Sequence, residues 1–250
     1  MIKTEKLYYQ YPYLKKIEAK VIDILPEEGV ILDKTIAYPE GGGQLSDKGY
    51  LIKNGKKIPF FDVQKKPGRT IFIENFPTIQ VDNPIVHYVD KREIENFKIG
   101  DIVSIEIDTI RRAKLSISHS VTHIVLMGIE KIFPEMEKKI YGAKIKEDSS
   151  RLDFRTKIKF SQKDIQTIEE YANQIIKEEK DIETFPHPKE KEARYWKLDW
   201  YTCACGGTHI GNTKYIKNIK VKRKNLGKNG QRINISFDYI SLFQEKFYEK

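Results

Sequence analysis

The sequence predicts an α+β protein, with a small β-barrel over residues 1–107 and a region mixing helices with strands over residues 108–250. Three observations predict it. Up to residue 107 the chain breaks into short extended runs at regular spacing, with Gly and Pro between them, which is the pattern of a small barrel. At Asp108 that pattern stops, and residues 110–133 run with no Gly or Pro except Gly128 until Pro134. Beyond them, strand-like runs alternate with a second helical stretch.

The barrel elements follow in order. Residues 16–25 alternate at roughly period two through Ile17, Ala19 and Val21, and Pro26-Glu27-Glu28-Gly29 turns the chain into Val30-Ile31-Leu32. Residues 49–53, 58–63, 70–73, 85–89 and 102–107 read as further strands. Asp108 or Thr109 is placed to cap the first helix, and a break is expected near Ser116 and Ser118. Along it Ile117, Val121, Ile124, Gly128 and Ile129 form one stripe, and His119, His123 and Met127 a neighbouring one. Strands are expected at 141–146 and 151–154. Ser161 with Asp164 three residues on opens a second helix as a capping box, whose buried face is Ile165, Ile168, Ala172, Ile175 and Ile176. Residues 183–188 read as the end of that element. Two last strands, 215–221 and 232–237, flank a basic turn.

Two hundred and fifty residues can bury a sizeable core, and 39% hydrophobic against 32% charged residues is an ordinary globular balance. Neither a long apolar run nor a signal peptide is visible, so a cytoplasmic protein without membrane contact is expected. The +9 formal charge favours a polyanionic partner. The two cysteines, Cys203 and Cys205, stand too close for an ordinary disulfide, which turns them toward metal binding.

Chemistry concentrates in two stretches. His119 and His123 lie one helical turn apart, so both imidazoles can reach one ion; Ser120 stands where a metalloprotease helix has its glutamate, which removes protease chemistry. Cys205 and His209 share the same spacing, and Gly206-Gly207 between them permits a turn that folds His209 back toward the thiol. His119, His123, Cys205 and His209 therefore make a candidate four-ligand set of the kind zinc prefers. His87 and His187 fall outside both motifs and read as surface or structural residues. A third stretch, Pro39-Glu40-Gly41-Gly42-Gly43-Gln44, lacks the terminal Lys-Ser/Thr of a phosphate loop. Its Gly41, Gly42 and Gly43 allow close backbone approach and project Gln44.

His-Ser-Val-Thr-His at 119–123, Arg151-Leu152-Asp153-Phe154, Cys-Gly-Gly-Thr-His at 205–209 and a late Gly-Lys-x-x-x-Arg-Ile at 227–233 together resemble the editing domain of alanyl-tRNA synthetase and its AlaX relatives. The 39–44 run looks like the glycine-rich motif of the longer AlaX form. The resemblance implies a barrel packed on a two-layer α/β editing domain of the threonyl/alanyl-tRNA synthetase type. It implies a deacylase, holding one Zn²⁺ per chain, that cleaves the ester of tRNA(Ala) mischarged with serine or glycine. On it, His119, His123, Cys205 and His209 hold the metal, Gly41 to Gly43 and Gln44 line the substrate side, and Gln44 and Thr122 are the polar candidates for catalysis and serine selection. Arg111, Arg112, Lys228 and Arg232 are assigned to tRNA phosphates. With the barrel beginning almost at Met1, a trans-acting enzyme is expected rather than a synthetase. The alternatives are a zinc-stabilised RNA-binding module without chemistry, or an editing domain for threonine tRNA.

Overall fold

In the computed structural model, which describes residues 2–239, six strands close an antiparallel barrel. Its order is Ile102–Ile107, Lys16–Leu25, Gly29–Leu32, Ile85–Val89, Lys56–Lys65 and Gly49–Lys53, closed by the pairing of Ile102–Ile107 with Gly49–Lys53. Alternation drives this closure: Val21, Val30, Leu51, Ile58, Val63, Ile85 and Ile105 point inward at 1% exposure or less, and the intervening residues of Ile102–Ile107 and Lys56–Phe60 are half-buried or exposed, whereas Ile31 and Val86 are buried as well. The strand expected at 70–73 is Arg69–Ile71, which pairs with Ile79–Val81 outside the barrel.

Helix α1, Thr109–Ile132, follows the barrel directly, capped by the Asp108 side chain on the Arg111 N–H. It is buried nearly all round from Arg112 to Ile129, as a helix does when other elements pack on every side. The break expected near Ser116 and Ser118 does not occur. Their hydroxyls find partners without opening the helix: Ser116 donates to Thr208 Oγ1 and Ser118 to the Ser149 carbonyl. Helix α2, Gln162–Lys177, opens on the Ser161/Asp164 capping box and buries the five residues its periodicity names. Both helices cover one face of a four-stranded antiparallel sheet, ordered Ile140–Ile145, Ser149–Arg155, Gly230–Tyr239, Ile216–Asn225. Residues 240–250, the end of the span read from 108, lie outside the described residues.

Residues 183–204 depart from the sequence reading. They form a three-stranded antiparallel sheet, Glu183–His187, Glu190–Leu198 and Tyr201–Ala204. Pro186 and Pro188 and a charged run concealed it, yet Arg194, Trp196 and Leu198 are buried at period two, and Pro186 sits on an edge strand where a missing N–H is tolerated.

The two parts are bolted together through the glycine-rich loop. Gly43 O accepts from Ile145 N at 2.7 Å, and Leu45 N donates to Ile145 O at 3.3 Å, so the loop pairs with the edge of the four-stranded sheet. Gly43 has φ +87°, and a Cβ there would meet the Ala143 backbone at 2.8 Å, so both conformation and space require glycine. Beside it the Arg112 guanidinium binds Asp47 and donates to the carbonyls of Ile36 (2.6 Å) and Pro12 (3.2 Å). No helix among the described residues is long and apolar enough to cross a membrane.

Candidate metal centre

The i, i+4 spacing on α1 stacks the His119 and His123 rings with centroids 5.0 Å apart. The loop leaving Tyr201–Ala204 brings His209 to 4.3 Å from His119 and 5.2 Å from His123. One ligand atom from each of His119, His123, Cys205 and His209 lies within 4.8 Å of the others. Cys205 Sγ is 3.2 Å from His209 Nε2 and 3.5 Å from His119 Nε2.

Each ring is held by its other nitrogen. Gln44 Oε1 accepts from the Thr208 backbone N–H at 3.0 Å and lies 2.8 Å from His119 Nδ1, so that nitrogen carries the proton. Ser120 gives its proton to the Ser116 carbonyl and receives one from His209 Nδ1 at 3.2 Å. His123 Nδ1 lies 3.4 Å from Cys203 Sγ, while its Nε2 is buried with no hydrogen-bond partner. Three neutral imidazoles thus leave Nε2 lone pairs beside one sulfur. Burial holds His119 and His209 well below the usual imidazole range and His123 at about 4, and it pushes the Cys205 thiol up to about 12. A buried cluster of lone pairs around a thiol is costly by itself, and a soft divalent cation relieves it by replacing the thiol proton. The donor set fits zinc.

Gly207 makes the approach possible. A Cβ there would stand 2.2 Å from His119 Cε1 and 2.9 Å from Gln44 Oε1. Trp196, fully buried, stacks on His123 at 4.8 Å and closes that side. Cys203 touches His123 rather than joining the four, and burial pushes its thiol up further still. The open side is a cleft of about 1070 Å³. Gly207, Thr208 and His209 line it together with Tyr8, Tyr9, Tyr13 and Glu192, and with Arg194, whose guanidinium lies 5.3 Å over the Tyr9 ring.

Several sequence-assigned residues sit elsewhere than expected. Gln44 is fully buried, with Oε1 on His119 and Thr208 and Nε2 donating to Thr208 Oγ1 at 2.9 Å. Its carboxamide positions a ring, and Gln44 does not border the cleft. Thr122 points to the opposite flank of α1, where its hydroxyl bonds the Ser118 carbonyl and Ser150, each at 2.7 Å. Arg112 is 1% exposed and neutralised by Asp47, so it cannot reach a phosphate. Arg111 is tied to Glu147 and the Ser46 carbonyl. Arg232 is exposed in part but bound to Asp153, and Lys228 is exposed in the last turn. Gly41 and Gly42 shape the loop but do not border the cleft. Of the two readings for His87, surface or structural, the structural one holds: it is a buried residue of the barrel interior. Sequence reasoning missed Thr208, Ser116, Ser120 and Trp196; for the two serines the available signal was their position three residues before a ligand on the same helix, Ser116 before His119 and Ser120 before His123.

Comparison with known proteins links both parts of the chain to tRNA synthetases. Residues 3–111 match the family "tRNA synthetases class II (A)", and residues 193–234 match the "Threonyl and Alanyl tRNA synthetase second additional domain". The alanine–tRNA ligase of Saccharolobus islandicus is 33% identical over 239 residues, covering 87% of this chain and 25% of the ligase. Those of Metallosphaera sedula and Pyrococcus furiosus are each 31% identical, over 87% and 88% of this chain. The chain spans about a quarter of the length of these relatives. On these matches, the chain is related to the alanyl-tRNA synthetases over most of its own length, and over residues 193–234 to the second additional domain that they share with the threonyl-tRNA synthetases.

Proposed function

We propose that this chain is a zinc-dependent aminoacyl-tRNA deacylase that clears tRNA(Ala) mischarged with serine, and also with glycine, in the cytoplasm. The observation that carries the reading is the convergence of three neutral imidazoles and one thiol behind a cleft large enough for an aminoacylated nucleoside, which the cluster meets through His209. His119, His123, Cys205 and His209 are the ligands in this reading. Residues 1–107 and 108–250 are its two domains, each with its own apolar core and joined at the site by the Gly41–Gln44 loop.

Bound zinc supplies Lewis acidity toward an ester carbonyl or a water. The protein's own part is positional. Gln44 fixes His119, Ser120 fixes His209, and Cys203 holds His123, so the ligand rings need no reorganisation as charge develops. Hydrolysis adds water to the ester carbonyl, breaks the bond to the ribose oxygen and returns a proton to that oxygen. Thr208 is the selecting residue of the reading. Its Oγ1 accepts from Gln44 and Ser116, which leaves its own proton uncommitted at the cleft. A serine hydroxyl can take that proton, and an alanine methyl cannot.

Deacylation of Ser-, Gly- and Ala-tRNA(Ala) by protein carrying one zinc tests this. Serine and glycine esters are expected to be hydrolysed and the alanine ester spared. Hydrolysis of none would overturn the reading in favour of a zinc-stabilised RNA-binding module, and preference for threonine tRNA would reassign the substrate.

A further inference from the structure

We propose that the solvent face of the four-stranded sheet is a docking surface for the sugar-phosphate backbone of an RNA duplex. Resting on the function proposed above, that duplex is the acceptor helix of the substrate. The face is defined by register. Lys220, Lys222 and Lys224 stand opposite Ser236, Asn234 and Arg232; Asn234 in turn stands opposite Arg151, and Arg151 opposite Lys144. Residues directly opposite share a face, as do residues two apart on one strand. The alternate positions, Ile219, Val221, Ile233, Ile235 and Leu152, are buried against the helices. One side of the sheet is therefore core, and the other carries a two-dimensional array of cations.

Register on one face sets the array apart. Some lysines elsewhere on the surface have carboxylate partners, such as Lys53 with Asp101, Lys56 with Glu93 and Lys197 with Glu183, and others form no salt bridge among the described residues but are not aligned in this way. Lys220, Lys222 and Lys224 are exposed and form no salt bridge among the described residues. Asp153, central on this face, is already shared by Arg151 and Arg232, so two guanidiniums meet one carboxylate. Asp238 stands at the far end, accepting from Asn218. At the opposite corner Arg155 lies over the Tyr141 ring at 5.4 Å and borders a 420 Å³ cleft with Lys139 and Lys157. The strip thus continues basic past the sheet edge.

Charge and shape select the partner. A single strand is held in a groove with several aromatic platforms, whereas among the described residues this face carries one aromatic side chain, Tyr141, at one corner. Lysines exposed on one face suit phosphates read by charge and not by sequence.

The experiment compares salt-dependent binding of an RNA acceptor-stem hairpin ending in CCA to the intact chain and to two charge-matched variants. One carries Lys220→Glu, Lys222→Glu and Lys224→Glu. The other carries Lys20→Glu, Lys57→Glu and Lys91→Glu, exposed positions on the barrel side. Thermal unfolding of all three proteins checks that they fold. The sheet variant is expected to weaken binding by roughly tenfold or more and to lower the slope of log affinity against log salt by about 3, with the barrel variant close to the intact chain. Equal losses in the two variants, or none in either, would overturn the proposal. If the intact chain hydrolyses Ser-tRNA(Ala) and the sheet variant binds RNA unchanged, this inference alone fails. If no ester is hydrolysed and binding still maps to the sheet, the deacylase reading alone fails.

Discussion

The barrel interior and the space beside α1 both bury imidazoles, and they satisfy them in opposite ways. His87 is fully buried in the barrel, its Nδ1 donating to the Val30 carbonyl at 3.2 Å and its Nε2 accepting from Thr35 at 2.8 Å. Both ring nitrogens are paired, and the ring is a finished piece of core. His119, His123 and His209 each have Nδ1 engaged and Nε2 turned to a common point. A half-satisfied cluster of this kind is destabilising unless something fills it. The comparison separates a structural histidine from a ligand by the fate of its second nitrogen, a distinction that burial alone does not make.

The sharpest way to break the comparison is to remove one donor from each side. Cys205→Ala is expected to reduce bound zinc from about one equivalent toward none and to abolish deacylation, because a structural-strength zinc site depends on its full ligand set. His87→Gln is expected to keep the metal while lowering thermal stability. Metal analysis of both purified variants decides it, and full zinc occupancy in the Cys205 variant would remove that residue from the site.

Much of the site was legible because ligand spacing is local. Two i, i+4 pairs carry three of the five histidines and one of the two cysteines, and helix geometry or a Gly-Gly turn closes each pair without knowledge of the fold. What failed to show was everything set by distant partners. Gln44 looks like a projected polar group until Thr208, 164 residues on, takes its amide. Arg112 resembles its neighbour Arg111 in sequence, and only Asp47, 65 residues earlier, makes it a buried bolt. The barrel was readable from period-two alternation, while the 183–204 sheet was hidden by prolines that an edge strand can accommodate.

Acid should act on the paired histidine in a defined window. Burial lowers His87 to about 4 from an unfolded value of 6.5. The unfolded chain therefore takes up a proton that the folded barrel refuses, so stability is full above about pH 6.5 and falls as pH drops toward 4. The loss attributable to this ring is about 3 kcal/mol across the window, on the order of two to three pKa units. Denaturant titrations at pH 7 and pH 4.5 should show a smaller acid loss for His87→Gln than for the natural sequence. Because the site imidazoles are common to both proteins, their protonation cancels, and identical losses would refute the assignment.

Gln44→Ala probes the other side more gently. It removes the acceptor of the His119 Nδ1–H and of the Thr208 N–H together. Zinc affinity is expected to fall by about 10–100-fold, the usual effect of losing a partner behind a metal-bound histidine. Gln44→Glu, which keeps the acceptor, should restore most of it. A loss of turnover with zinc affinity untouched would instead return Gln44 to the substrate face.

Thr122→Val is the smallest and most discriminating change, since Thr122 follows Val121 and precedes a ligand yet lies on the wrong flank of α1. Its hydroxyl joins α1 to the strand Ser149–Arg155 through Ser150 and reaches nothing in the cleft. Valine keeps the branched shape and strands the Ser150 hydroxyl, 5% exposed, at a cost of about 1 kcal/mol in unfolding free energy. Zinc content and the preference for serine over alanine esters are expected to follow Thr208, so Thr208→Val should erode the preference where Thr122→Val does not. The opposite pattern would place the selecting hydroxyl on the helix and make the loop a scaffold.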